Sequence, residues 1–171
     1  MRNIQYFYLT DKKEKNYIEF MNVHYSISGI AEDKKISCIN GLSWQSNDNE
    51  HFINFENKKV SQVYIPIEKN KIIILYQGIS PSFPAPNNLV IYTPTGEIER
   101  ILSTPILPTG KQGAGFLEIH GLENWDKNTI PEEFKNGLYV VIWEHERSEW
   151  VYSYYFNPDT YEFLFFNRSR Y

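Results

Sequence analysis

The sequence predicts an all-β chain: an antiparallel sandwich or barrel with a C-terminal three-stranded meander and at most one or two short helical turns. Three observations predict it. Short runs of β-branched and aromatic residues recur from end to end, and turn-forming residues stand between them. The one segment with helix chemistry, Ile130-Pro131-Glu132-Glu133-Phe134-Lys135, is too short for more than a turn or two. At 171 residues the chain has the length of a single domain, residues 1–171, able to bury a core without staples.

In chain order, Ile4 to Leu9 reads as a strand closed by the charged turn Asp11 to Lys15. Tyr17 to Ile27 is apolar at irregular spacing and reads as a long strand or a short helix, with the strand preferred, ended by Gly29. Ile36 to Ile39 reads as a short strand, and Asn40-Gly41, a dipeptide favoured in tight hairpins, leads into Leu42 to Gln45. Ser46 to Glu50 is a second hairpin turn before Phe52 to Phe55. Asn57-Lys58-Lys59 breaks the chain ahead of Val60 to Ile67, where Pro66 places the strand end at a sheet edge.

Ile72-Ile73-Ile74-Leu75 is a continuous apolar run, which fits a central strand buried on both faces. Gln77 to Asn88 holds Gly78, Pro81, Pro84 and Pro86 and reads as an ordered loop. Leu89 to Tyr92, Thr93-Pro94-Thr95-Gly96 and Ile98 to Leu102 make a hairpin. That piece resembles a hairpin of a β-propeller blade, but it recurs at no fixed period, which a propeller requires. Pro105 to Gly115 is a further loop and Phe116 to His120 a further strand.

The meander is Leu138 to Glu144, Trp150 to Phe156 and Tyr161 to Phe166, with the polar breaks Glu146-Arg147-Ser148-Glu149 and Asn157-Pro158-Asp159-Thr160 between. Tight turns place Trp143 opposite Tyr152, Val141 opposite Tyr154, and Tyr154 opposite Phe163. One face is then aromatic, and Val140, Ile142, Val151, Leu164 and Phe166 form an aliphatic, core-facing side.

Composition narrows the function. A formal charge of −4 with no cationic stripe argues against nucleic acid and suits a basic protein partner. Mean hydropathy of −0.48, with no apolar run near the ~20 residues of a span, argues against a helical membrane protein. The amino terminus has no secretory apolar region, so a cytoplasmic site is expected. Cys38 is the single cysteine and reads as a structural thiol.

His24, His51, His120 and His145 show no metal-ligand spacing, so neither metal nor cofactor is expected. Thr109 to Gly115 carries a lysine and glycines but leads into a strand, where a phosphate loop needs a helix; it reads as a flexible loop. No nucleophile-elbow motif is present, and nothing compels an enzyme.

The residues set apart as a binding surface are Tyr139, Trp143, Glu144, His145, Glu146, Glu149, Trp150, Tyr152 and Tyr154. Glu144, Glu146 and Glu149 beside Trp143 and Trp150 have the carboxylates and aromatics of a sugar-cleaving groove, but a solvated turn bearing like charges is the favoured reading. Glu144 points to the core side and needs Arg147, Arg168 or Arg170 as partner. A pocket lined by Tyr139, Trp143, Tyr152 and Tyr154 would signify a small-molecule binder, such as a calycin-like barrel; a flat exposed patch would signify a protein partner.

A compact acidic domain rich in Tyr, Trp and Asn, without a catalytic motif, resembles the small intracellular immunity proteins that bacteria make against polymorphic toxins. The resemblance spans the whole chain and is one of character. It implies a stoichiometric inhibitor that covers a toxin's active site, and it assigns no individual residue.

Overall fold

The computed structural model describes residues 1–10, 12–20, 27–55, 59–145 and 148–171. Twelve strands form three antiparallel sheets of four strands each. The first contains β1 (Arg2–Leu9), β2 (Lys15–Glu19), β3 (Gly41–Ser46) and β4 (Asn49–Asn54), in the order β2-β1-β3-β4. The second contains β5 (Val60–Tyr64), β6 (Ile72–Tyr76), β7 (Leu89–Tyr92) and β8 (Ile98–Leu102), and the third β9 (Gly115–Gly121), β10 (Leu138–Trp143), β11 (Trp150–Asn157) and β12 (Glu162–Arg170), both in chain order. One short helix, α1 (Ile27–Asp33), and a 3-10 turn at Glu132–Phe134 complete the fold. It is the predicted all-β class, and no helix among the described residues is long and apolar enough to cross a membrane.

The second sheet lies in the middle. On one face Ile72, Ile74, Tyr76, Val90 and Tyr92 pack on Tyr6, Leu42, Trp44 and Ile53 of the first sheet. On the other, Ile73, Leu75, Leu89 and Ile91 pack on Phe116, Ile119, Val140, Ile142, Tyr154 and Phe156 of the third. Every residue of β6 is buried, as the apolar run 72–75 predicts.

Polar side chains join the sheets where the backbone cannot. The Asn88 side chain, fully buried, donates from Nδ2 to the carbonyls of Tyr76 and Phe116, both at 2.8 Å, and accepts the Phe116 N–H on Oδ1 at 3.0 Å. Gln62 Oε1 accepts the Ile119 N–H at 2.8 Å. β9 is hydrogen-bonded to β10 alone, so these two amides take the place of a strand along its other edge.

Lys71, at the entry to β6, fastens the far end of the third sheet. Its Nζ donates to the Pro158 carbonyl at 2.7 Å and lies 3.0 Å from Glu99 and 3.2 Å from Asp159. Tyr161 donates its hydroxyl to the same Glu99. Burial pulls the Lys71 ammonium down, but its bonds to Glu99 and Asp159 outweigh burial and hold it above its ordinary pKa. Burial likewise pushes Glu99 up, and the bonds from Tyr161 and Lys71 outweigh it, so its carboxyl titrates below the usual range.

Three local expectations are corrected. Asn40-Gly41 is not a hairpin turn: Gly41 opens β3, and a Cβ there would collide with the Phe7 ring and the Ile53 carbonyl. Ile36–Ile39 is not a strand, and the two-residue hairpin lies instead at Asn47 and Asp48, with φ of 50° and 63°. Gly29 does not end a strand but sits within α1; the expected strand reduces to β2, and residues 21–26 of it fall outside the described residues.

The meander forms, joined by β9, but with a shifted register. Trp143 pairs with Val151, Val141 with Ser153, and Ile142 with Tyr152, one residue away from the tight-turn pairing. A one-residue slip exchanges the faces. Val140 and Ile142 therefore share the inner face with Tyr152 and Tyr154, while Val151, Leu164 and Phe166 lie on the outer side. At the second turn Tyr161, with φ of 62°, belongs to the turn and not to the strand, so Phe156 pairs with Phe163 and Tyr154 with Phe165.

Asn88→Ala should leave the Phe116 N–H and two carbonyls buried without partners and cost about 3 kcal/mol. The check is a lower urea midpoint at unchanged slope. Glu99, with its folded pKa depressed, contributes stability that is present above the unfolded pKa and lost as the pH falls through the folded value. Stability should therefore decline below pH 4.5, and Glu99→Gln should flatten that acid limb when denaturation is followed against pH.

Candidate binding surface

The register divides the predicted surface between two faces. Tyr139 and Trp143 are on the outer face of the third sheet, whereas Trp150, Tyr152 and Tyr154 are on the inner one. Tyr139 donates its hydroxyl to Ser153 Oγ at 2.6 Å and packs its ring 5.0 Å from that of Trp125. Trp143 walls an apolar cleft of about 500 Å3 with Tyr76, Ile79, Ala85 and Phe116. Tyr139 and Trp143 therefore point away from Tyr152 and Tyr154, and the four do not line one pocket.

Glu144 begins the turn between β10 and β11, and its carboxylate collects three partners. Ser148 donates to Oε2 at 3.3 Å, Tyr152 donates to Oε1 at 3.4 Å, and Arg168 Nη2 lies 3.8 Å away. Arg168 reaches it because β12 pairs that residue with Tyr152. The turn is thus partly neutralised by a residue distant in sequence. Burial pushes the Tyr152 hydroxyl up, with the Glu144 charge adding to it, so the phenol stays a proton donor. His145 and Glu149 are exposed, and Glu146 and Arg147 lie outside the described residues.

Two arginines that the sequence reading did not set apart complete the site. The Arg168 guanidinium stands 4.1 Å from the Trp150 ring centroid and 5.3 Å from that of Tyr152, and Arg170 stands 5.3 Å from Trp150. Phe165 continues the row, 6.4 Å from Tyr152 and 5.6 Å from Tyr154. Phe165 remains 44% exposed, whereas Leu164 and Phe166 lie on the opposite face. The result is a ledge of arginine and aromatic side chains along β11 and β12. The alternation Arg168-Ser169-Arg170 could have signalled that the last strand runs on past Phe166.

Groups of three His, Cys, Asp or Glu able to hold a metal are absent among the described residues. Cys38 is exposed, with Sγ 3.9 Å from Asn40 Oδ1.

Tyr154 is buried, and its hydroxyl finds no hydrogen-bond partner among the described residues. Removing an unsatisfied buried group relieves a desolvation cost. Tyr154→Phe should therefore keep or raise stability, by up to about 1 kcal/mol; a clearly lowered melting temperature would show that the hydroxyl has a partner in solution.

No family model matches this chain, and no curated protein matches it in sequence. Among solved structures, a chain in the structure of Tne2 in complex with Tni2 is similar over 99% of this chain and 97% of that chain, with a TM-score of 0.59 at 8% sequence identity. What the two share is the fold.

Proposed function

We propose that this chain is a non-catalytic binding protein of the immunity type, a cytoplasmic inhibitor that covers a basic toxin through the ledge formed by Trp150, Arg168, Arg170 and Phe165, which rests on the buried Tyr152. The observation that carries this reading is the ledge itself. Trp, Tyr and Arg are the side chains that most often anchor protein interfaces. Here they form one row, stacked in advance of any contact, beside the exposed Phe165. Preorganised anchors lose little rotamer freedom on binding. The fold supports the reading in a general way, since the similar chain was solved within a complex of two proteins. The net charge of −4 favours encounter with a basic partner. Glu144 and Glu149 contribute to the rim, with Glu144 also orienting Arg168.

A second reading, small-molecule binding, rests on the cleft beside Trp143, whose size and apolar lining suit a compact apolar ligand. The two readings separate by tryptophan: Trp143 walls the cleft and Trp150 belongs to the ledge.

Trp150→Ala should weaken the complex with a partner captured from lysate by about 2 kcal/mol or more, roughly thirtyfold in Kd. The indole also packs against the core of the third sheet, so the urea midpoint is read on the same variant and a binding loss counts only where the protein remains folded. A folded Trp150→Ala protein that binds every captured partner normally would overturn the ledge. The association rate should also fall as ionic strength rises from about 0.01 to about 0.15 M, since screening shortens the reach of the acidic surface. A rate indifferent to salt would remove the basic partner from the proposal.

A further inference from the structure

The last strand brings two guanidinium groups to one indole. β12 pairs Arg170 with Trp150 and Arg168 with Tyr152, so both arginines share the face of those rings. Arg168 stands 4.1 Å and Arg170 5.3 Å from the Trp150 ring centroid. Like charges gathered at one ring repel each other, and the ring's attraction for cations holds them there.

A counter-charge reaches one of them and not the other. Glu144 lies 3.8 Å from Arg168 Nη2, and its carboxylate is already shared with Ser148 and Tyr152. Arg170 is exposed and forms no ion pair among the described residues. Glu149, exposed at the end of the same turn, pairs with neither arginine. Arg100 supplies the contrast. Its guanidinium stands 4.6 Å from the Tyr161 ring at the other end of β12, and Tyr161 donates its hydroxyl to Glu99. That stacked arginine has an acid at hand; Arg170 has none.

Two guanidinium charges against the one carboxylate of Glu144 leave a single positive charge here, on a chain whose formal net charge is −4. The local sign thus runs against the global one. A guanidinium on a ring keeps N–H donors along its edge, in a planar fork that matches a carboxylate. Because Trp150 already holds the Arg170 side chain, little further ordering is needed when an acceptor arrives.

We propose that the ledge receives a carboxylate side chain of the partner protein on the Arg170 guanidinium. This rests on the reading of the ledge as the partner surface and adds what the partner presents there. The net charge of the chain draws a basic partner from a distance. At contact the ledge turns basic side chains away and accepts an acidic one, which fixes how the partner sits. A single residual positive charge matches a carboxylate. A phosphate, with a charge of about −2, exceeds it and would face Glu144.

The test uses benzoate, benzamide and phenyl phosphate, which share a ring and differ in head group. Each is titrated into the full chain at low ionic strength while the Nε–H signals of Arg168 and Arg170 and the indole N–H of Trp150 are followed by NMR. Benzoate should give saturable shifts at these groups, benzamide should not saturate, and phenyl phosphate should bind no tighter than benzoate. Arg170→Gln should weaken benzoate about fivefold. Arg170→Lys, which keeps the charge and loses the fork, should recover part of that loss, and Arg100→Gln should change nothing. Shifts that are absent or centred elsewhere, equal binding of benzamide, tighter binding of phenyl phosphate, or an Arg170→Lys protein that binds like the parent would overturn the assignment. Should a variant unfold, the head-group series on the parent chain still decides. If benzoate fails while Trp150→Ala weakens a captured partner, the carboxylate falls and the ledge stands. If benzoate binds while Trp150→Ala and Arg170→Gln leave every captured partner unaffected, the ledge falls as a partner surface and this proposal with it.

Discussion

The constraint on which the rest of the structure depends is that the middle sheet has no side open to water. From Ile72 to Tyr76 the exposure never exceeds 1%, so both faces of β6 must be covered by something the chain itself provides. The chain provides one sheet before and one after. Hydrophobic burial alone would let those outer sheets slide, since it is not directional. Position is fixed by a few buried polar groups: Asn88 and Gln62 along the edge of β9, and Lys71 with Glu99 at the turn before β12. Each would be costly to bury alone, and each is satisfied in a single arrangement of the sheets.

This division explains what could be read in the sequence. Ile72-Ile73-Ile74-Leu75 was legible as a doubly buried strand because local composition records burial on both faces. The hairpin at Pro94 and Gly96 was legible because its turn chemistry is local. The joints were not legible. Asn88 ends a proline-rich loop and Lys71 looks like a strand-flanking charge; only the approach of β9 and of the Pro158 turn makes them structural. A loop asparagine and a buried one are spelled alike.

The site was legible in its elements and not in its faces. The sequence shows that Trp150, Tyr152 and Tyr154 alternate on one strand, and the structure keeps them together. It does not show how many residues of the Glu144–Trp150 turn are spent before pairing resumes, and one residue decides which face Tyr139 and Trp143 occupy. Arg168 was weighed as a possible partner for Glu144. What could not be seen was that the same guanidinium would stack on Trp150, since that depends on β12 continuing beyond its apolar residues to Arg170.

The four-stranded sheet repeats although neither its sequence nor, in the first sheet, its strand order does. Three successive segments each fold into a four-stranded antiparallel sheet, yet their burial requirements differ. The middle one is covered by a sheet on both faces, while the third is covered by a sheet on one face and by the smaller cluster of Leu122, Ile130 and Phe134 on the other. No common pattern can satisfy both demands, so a period search finds nothing. A substitution in the middle sheet disturbs two cores at once, whereas the exposed Arg168 and Arg170 of the last strand lie where side chains can change with little effect on the joints. Such a fold can hold its core fixed while the side chains at the edge of its last sheet vary, because the buried polar joints that set the sheets' positions lie elsewhere.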